Sequence, residues 1–315
     1  MTELSDLPIR DSLKGRTPYG APQLHVPIAL NVNENSHRTP ETVALDVVSR
    51  LAEAVININR YPDREFTALR ERLAKYLGFN LVKEQIWAAN GSNEVLQQIF
   101  QAFGGPGRLA LGFGPTYSMY PLIAQGMETD YFAAPRLDRY ELTPDHIRAQ
   151  ILEHKPNIVI LCSPNNPTGT PLSLDCVIAT YEAVSEASGG IVVVDEAYAE
   201  FAADGAETAI ELLPGRERLL VSRTMSKAFA FAGARVGYLA ADPAVIDALR
   251  KGRVGPALAD RLSRRGQAPS LPARAASRPR TMSTFDSSTS PATNSPEVAR
   301  IAARWLPPVI QVMAP

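Results

Sequence analysis

The sequence predicts an α/β fold: a mainly parallel, seven-stranded sheet with helices on both faces. Three observations predict it. Between residues 85 and 240, short apolar runs alternate with stretches whose apolar residues recur at helical spacing. The runs are apolar at consecutive positions, as strands covered on both faces must be. Polar, glycine-containing clusters follow several of the runs directly, and the carboxyl ends of strands are where open α/β sheets gather their chemistry.

The elements follow in order. Residues 1–40 read as an extended N-terminal arm rich in proline and turn residues, with a short strand candidate over 28–32 leading into Asn33-Glu34-Asn35. Helical periods occupy 41–55 and 65–77, the second carrying Leu69, Leu73, Tyr76 and Leu77 before a natural stop at Gly78. Strands are expected over 85–89, 109–113, 129–133, 158–162, 191–194, 219–222 and 236–240. Helices are expected over 93–103, 116–125, 144–153 and 173–187. Residues 41–250 thus form one large domain.

The pattern fails after Arg250. Residues 1–250 hold 22 Lys and Arg against 30 Asp and Glu, whereas residues 251–315 hold 10 against 3. The latter stretch also carries 9 Pro and 12 Ser and Thr. A reversal of charge with frequent proline marks a boundary and argues against a packed domain. The composition resembles that of a high-GC coding strand read in the wrong frame; a basic, disordered tail with its own partner is the rival reading.

Composition narrows the function. A formal net charge of −1 gives no reason to expect nucleic acid or an anionic membrane as a partner. The two cysteines, Cys162 and Cys176, are too few for a disulfide framework or a four-ligand zinc site, and no metal is expected. The N-terminus lacks the basic and apolar regions of a secretory signal, and no stretch reaches the ~20 apolar residues of a membrane span. A cytoplasmic protein is expected.

Four clusters carry the chemistry. Asp195 ends a strongly apolar strand, and Tyr198 follows three residues later. Lys227 lies just past another strand, beside Ser226 and eight residues before Arg235. An amine with a neighbouring hydroxyl and a nearby guanidinium suits a Schiff base beside a phosphate. Ser163-Pro164-Asn165-Asn166-Pro167-Thr168-Gly169 is a tight polar turn after a strand. Asn90-Gly91-Ser92-Asn93-Glu94 opens a helix, where backbone N–H groups and the positive dipole end attract phosphate. Each has a bland alternative as well: a strand-end cap, a solvated loop lysine, a turn, an ordinary helix cap.

Taken together and in this order, the clusters resemble those of the fold-type I, pyridoxal-phosphate-dependent aminotransferases over about residues 20–250. The likeness is greatest to the histidinol-phosphate aminotransferase family. It is carried by 30–35, Arg60-Tyr61-Pro62-Asp63, the phrase Ile86-Trp87-Ala88-Ala89-Asn90-Gly91-Ser92-Asn93-Glu94, 115–120, 163–169, 195–198 and Arg223-Thr224-Met225-Ser226-Lys227-Ala228-Phe229. The resemblance implies pyridoxal 5′-phosphate (PLP) as cofactor. Lys227 would hold it covalently and then shuttle the substrate proton, and Asp195 would keep its ring nitrogen protonated. Tyr198 and Asn166 would bond the ring oxygen, and Tyr117 would stack on the ring. Gly91, Ser92, Ser226 and Arg235 would hold the phosphate. Tyr61 would reach the cofactor phosphate of a neighbouring subunit, implying a homodimer. Tyr19 and Asn33 would line the substrate side.

The implied reaction moves an amino group between L-histidinol phosphate and 2-oxoglutarate, a step of histidine biosynthesis. An aromatic amino-acid aminotransferase on the same scaffold and a non-catalytic PLP-binding remnant remain open beside it. The departures from the family are two. Asn35 is followed by Ser36-His37 where the family usually has Pro, which alters a loop only. After Arg250 the family's small domain, with its arginines for the substrate's acid groups, has no match, so turnover by this chain is in doubt.

Overall fold

The computed structural model describes residues 6–252, apart from 16, 18–19, 21–23, 28–29 and 203–205. The seven expected strands are all present: β1 (Ile86–Ala89), β2 (Leu109–Gly114), β3 (Asp130–Pro135), β4 (Ile158–Cys162), β5 (Ile191–Asp195), β6 (Leu219–Thr224) and β7 (Gly237–Ala241). They form one sheet in the order β1-β7-β6-β5-β4-β2-β3. Strands β2 to β6 run parallel to their neighbours, and β7 is antiparallel to both β6 and β1. The reversal at β7 goes with its connection: a parallel return usually runs through a crossover helix, and the link from β6 to β7 contains none.

The helices are α1 (Glu41–Ile56), α2 (Thr67–Leu77), α3 (Ser92–Phe103), α4 (Met119–Gly126), α5 (Pro144–His154), α6 (Leu174–Ala187) and α7 (Pro243–Gly252). Every residue of β4, β5 and β7 is buried, so both faces of the sheet centre are covered, as the apolar runs require. The core includes Trp87, Phe100, Phe113, Tyr120 and Tyr238. Trp87 Nε1 donates to Gln98 Oε1 at 2.7 Å, so the buried indole has a partner and ties β1 to α3. Both cysteines are free and buried. No helix among the described residues is long and apolar enough to cross a membrane.

Three expectations need revision. Of the strand candidate over 28–32, residues 28–29 lie outside the described residues; Asn31 and Val32 lie in a turn, and Leu30 is exposed and in no strand. The helix expected over 116–125 begins only at Met119. The helix α7 was not anticipated, although its start carries a signal: Asp242 Oδ1 accepts from Ala244 N at 2.8 Å, with Pro243 opening the helix. Tyr19 and, from residue 253 onward, the stretch expected as a tail lie outside the described residues.

The sheet order brings the polar clusters together. Strand β1 runs in the same direction as β6, because each is antiparallel to β7. Ala89 and Thr224 both pair with Gly237. The ends of β1 and β6 therefore meet the start of β7, and three clusters distant in sequence converge at one edge.

Candidate functional site

A cavity of about 530 Å³ opens at that edge. Its size falls within the range of small-molecule sites. Of the residues singled out in the sequence, Asn33, Ser92, Tyr117, Asn166, Asp195, Tyr198, Ser226, Lys227 and Arg235 all line it.

Asp195 closes β5 at the cavity floor and is 2% exposed. It accepts the Tyr120 hydroxyl on Oδ2 at 2.8 Å and the Ala197 N–H on Oδ1 at 3.2 Å. Burial pushes its pKa up to about 6, against the pull of those two hydrogen bonds. Such a group is charged at neutral pH but close to its titration, and a cation placed against it in the cavity would be strongly favoured.

Lys227 follows β6. Its Nζ donates to the carbonyl of Asn33 at 3.0 Å and reaches that of Val32 at 3.5 Å, and it lies 5.8 Å from the centre of the Tyr198 ring. Burial lowers its pKa. A lysine of this kind exposes more neutral amine, the nucleophilic form, than a surface lysine does. The arm loop is tied back to it: Asn35 Nδ2 donates to the Lys227 carbonyl at 3.1 Å, and Asn33 Nδ2 to the Tyr198 hydroxyl at 3.0 Å.

An anion pocket lies beside the lysine. Gly91 caps α3 with φ 93°, a conformation that favours glycine. A Cβ built there would overlap the Arg235 guanidinium, so the bare backbone is what lets Arg235 fold against the helix start. Arg235 Nη1 lies 3.4 Å from Ser226 Oγ. A helix N-terminus, two serines and an arginine gathered in this way could hold a phosphate-like dianion. Opposite, the Tyr117 hydroxyl donates to Asn93 Oδ1 at 3.2 Å, and its ring meets Tyr120 edge-on at 5.5 Å.

Tyr61 does not join the cavity within this chain; it is 96% exposed. Several residues lie inside or next to the motif segments but take no role from sequence. Tyr120 ends the 115–120 segment and reads there as core. Asn93, Thr224 and Cys162 also line the cavity, Cys162 with burial pushing its thiol up to about 12. Glu196 and Arg223 form a buried pair behind Asp195. Among the described residues, no group of three His, Cys, Asp or Glu is placed to hold a metal.

Comparison with known proteins agrees with this geometry. The family described as aminotransferase class I and II matches residues 26–268. A histidinol-phosphate aminotransferase of Paenarthrobacter aurescens is 63% identical over 250 residues, covering 79% of this chain and 67% of that protein. One from Thermobifida fusca is 55% identical over 248 residues, covering 78% and 66%. Among solved structures, histidinol-phosphate aminotransferase from Sinorhizobium meliloti in complex with pyridoxal-5′-phosphate matches with a TM-score of 0.65 at 26% identity, covering 74% of this chain and 61% of that one. The chain spans about two thirds of the length of these curated relatives.

Proposed function

The chain belongs to the aminotransferase class I and II family, and from that premise we propose that it binds pyridoxal 5′-phosphate and transfers an amino group between L-histidinol phosphate and 2-oxoglutarate. The observation that carries the proposal is the convergence of Lys227, Asp195, Ser92, Ser226 and Arg235 on one cavity, with Gly91 against the Arg235 guanidinium behind it. The residues fit the cofactor: an acid poised for a cationic ring nitrogen, an aromatic face in Tyr117, and a bare-backbone cradle for a phosphate. When bound, the cofactor supplies an electron sink for the pair left behind when a substrate α-proton departs.

This chain's own residues do the rest. Asp195 would hold a proton at the ring nitrogen through its buried carboxylate. Lys227 would hold the cofactor through Nζ and would serve as the base that takes and returns the proton at the substrate α-carbon. Asn166 and the Tyr198 hydroxyl would hold the ring oxygen. Asn33, which lines the cavity and donates to the Tyr198 hydroxyl, is assigned to the substrate side; Tyr19 is assigned to the same side. The protein works as a cytoplasmic homodimer, with Tyr61 completing the partner's phosphate site. Its exposure supports this, as does α1, which buries none of its residues and leaves Leu45, Val48 and Val55 exposed along one face. The large domain over 41–250 holds the cofactor. The family's arginines for the substrate's acid groups have no match in residues 251–315, so turnover by this chain is expected to be weak.

The test is direct. Purified full chain is incubated with PLP, reduced with borohydride and digested; the labelled peptide should contain Lys227. Transamination of histidinol phosphate is then measured against that of aromatic amino acids. Label on another lysine, or a clear preference for the aromatic donors, overturns the corresponding part of the proposal. Light scattering should give the mass of a dimer, and a monomer that binds PLP tightly would remove the role given to Tyr61.

A further inference from the structure

Three acidic residues, Asp195, Glu196 and Glu200, fall within six positions after the core of β5. They face different surroundings. Asp195 lines the cavity. The Glu196 side chain, 5% exposed, belongs to a separate network. Its Oε2 accepts from Arg223 Nε at 3.0 Å and Nη2 at 2.7 Å, and its Oε1 from Ala209 N at 2.7 Å. The Thr208 hydroxyl lies 2.8 Å from the same Oε2. Arg223 Nη1 also reaches Glu200 Oε1 at 3.3 Å. One buried guanidinium thus answers two carboxylates. It stands on β6 directly after Ser222, which pairs in register with Asp195.

A negative charge beside a buried carboxylate raises that carboxylate's proton affinity. Asp195 has little margin, since burial has already brought it to about 6. The groups facing it are few. The Tyr120 hydroxyl from α4, the Ala197 N–H and the Lys227 amine favour its charged form, while Glu196 opposes it. Cys162, its register partner on β4, is a neutral thiol near pH 7. Among the described residues, Glu196 is the charged group opposing Asp195, and Arg223 is the cation paired with it. Burial alone would lower the pKa of Arg223, but Glu196 and Glu200 reverse this, so it stays a cation throughout.

We propose that Arg223 is a positioning residue for Asp195: by balancing Glu196 and Glu200 it keeps the adjacent Asp195 carboxylate ionised toward the cavity. The inference deepens the proposed function and rests on Asp195 as the partner of the cofactor's ring nitrogen. A bidentate clamp that merely held β5 to β6 would make the two single substitutions equivalent. Charge balance makes them opposite.

The experiment titrates the Asp195 carboxyl stretch by infrared spectroscopy in the full chain without cofactor, with Asp195→Asn assigning the band. Arg223→Gln should move the midpoint up by about one pH unit, and Glu196→Gln should move it down. The double variant Glu196→Gln/Arg223→Gln should return near the wild-type value. If Arg223→Gln does not fold, Glu196→Gln against the double variant decides, with the double variant expected higher. Coincident midpoints, or singles that shift in the same direction, overturn the proposal. PLP binding to the same proteins, read by absorbance, is scored separately. Opposite infrared shifts in a chain that binds no PLP would sink the reading of the site and leave the charge balance standing.

Discussion

The Tyr120 hydroxyl donates to Asp195 Oδ2 at 2.8 Å, and both groups are buried where α4 meets the end of β5. The contact fixes the rotamer of the acid and favours its charged form. A hydrogen bond to a charged group contributes about 1.5–3 kcal/mol. Tyr120 is itself locked as a donor, because burial, with Asp195 adding to it, raises its pKa well above that of a free phenol.

Tyr120→Phe should therefore weaken Asp195 without removing it. The Asp195 ionisation midpoint is expected to rise above its value of about 6. PLP affinity at pH 7 should fall by roughly tenfold, in proportion to one charge-assisted bond. A pH titration of PLP binding checks both, and an unchanged midpoint would reduce Tyr120 to a packing residue.

The buried acid also predicts a pH dependence of stability. Burial lifts Asp195 from an ordinary 3.8 to about 6, so the folded protein binds this proton more tightly than the unfolded chain. Its contribution is full below about pH 4 and is lost as pH rises through about 6. Two units correspond to roughly 3 kcal/mol. Without cofactor, Asp195→Asn is expected to be more stable than wild type above pH 6 by up to that amount, with the gap closing toward pH 4. Denaturant unfolding across this range measures it, and a gap that widens toward low pH has the wrong sign.

Much of this architecture could be read before any coordinates. Strands buried on both faces announce themselves as apolar runs, and β4 and β5 were legible residue by residue. The direction of β7 was not, because an apolar run looks the same in either orientation. At 30–32 the described residues form coil and turn rather than the expected strand, because a short apolar run carries no sign of whether a neighbouring strand will pair with it. Asp195, Lys227 and Arg235, which the structure brings to one cavity, stood out because each lies in a local cluster. Glu196 and Arg223 are 27 positions apart and Tyr120 is 75 from Asp195. Such pairings exist only once β5, β6 and α4 have packed.

Gly91 tests the anion pocket. Its φ of 93° and the Arg235 guanidinium against its α-carbon leave no room for a methyl group. Gly91→Ala should push Arg235 out of the pocket and distort the start of α3. PLP affinity is expected to fall at least tenfold, while the sheet core, which Gly91 does not enter, keeps its thermal transition within a few degrees. Equilibrium binding of PLP and inorganic phosphate, beside a thermal scan, separates the outcomes. Wild-type affinity for both ligands would show that Arg235 does not serve them.

Lys227 offers the sharpest substitution. Its amine is held by the Asn33 carbonyl at 3.0 Å, and burial lowers its pKa, so neutral amine becomes available at lower pH than for a surface lysine. Lys227→Arg keeps a cation and can keep the hydrogen bond to Asn33, but a guanidinium stays protonated and is no nucleophile. The variant should fold, and PLP should still enter through the pocket of Gly91, Ser92, Ser226 and Arg235. Borohydride should then leave no label on the chain. Proton transfer at the substrate α-carbon should slow by at least 10²–10⁴-fold, the usual contribution of a positioned acid or base. Mass spectrometry of the reduced protein decides the first point and single-turnover exchange of the α-proton the second. A label that persists in Lys227→Arg would place the covalent link on another lysine and detach Lys227 from the chemistry.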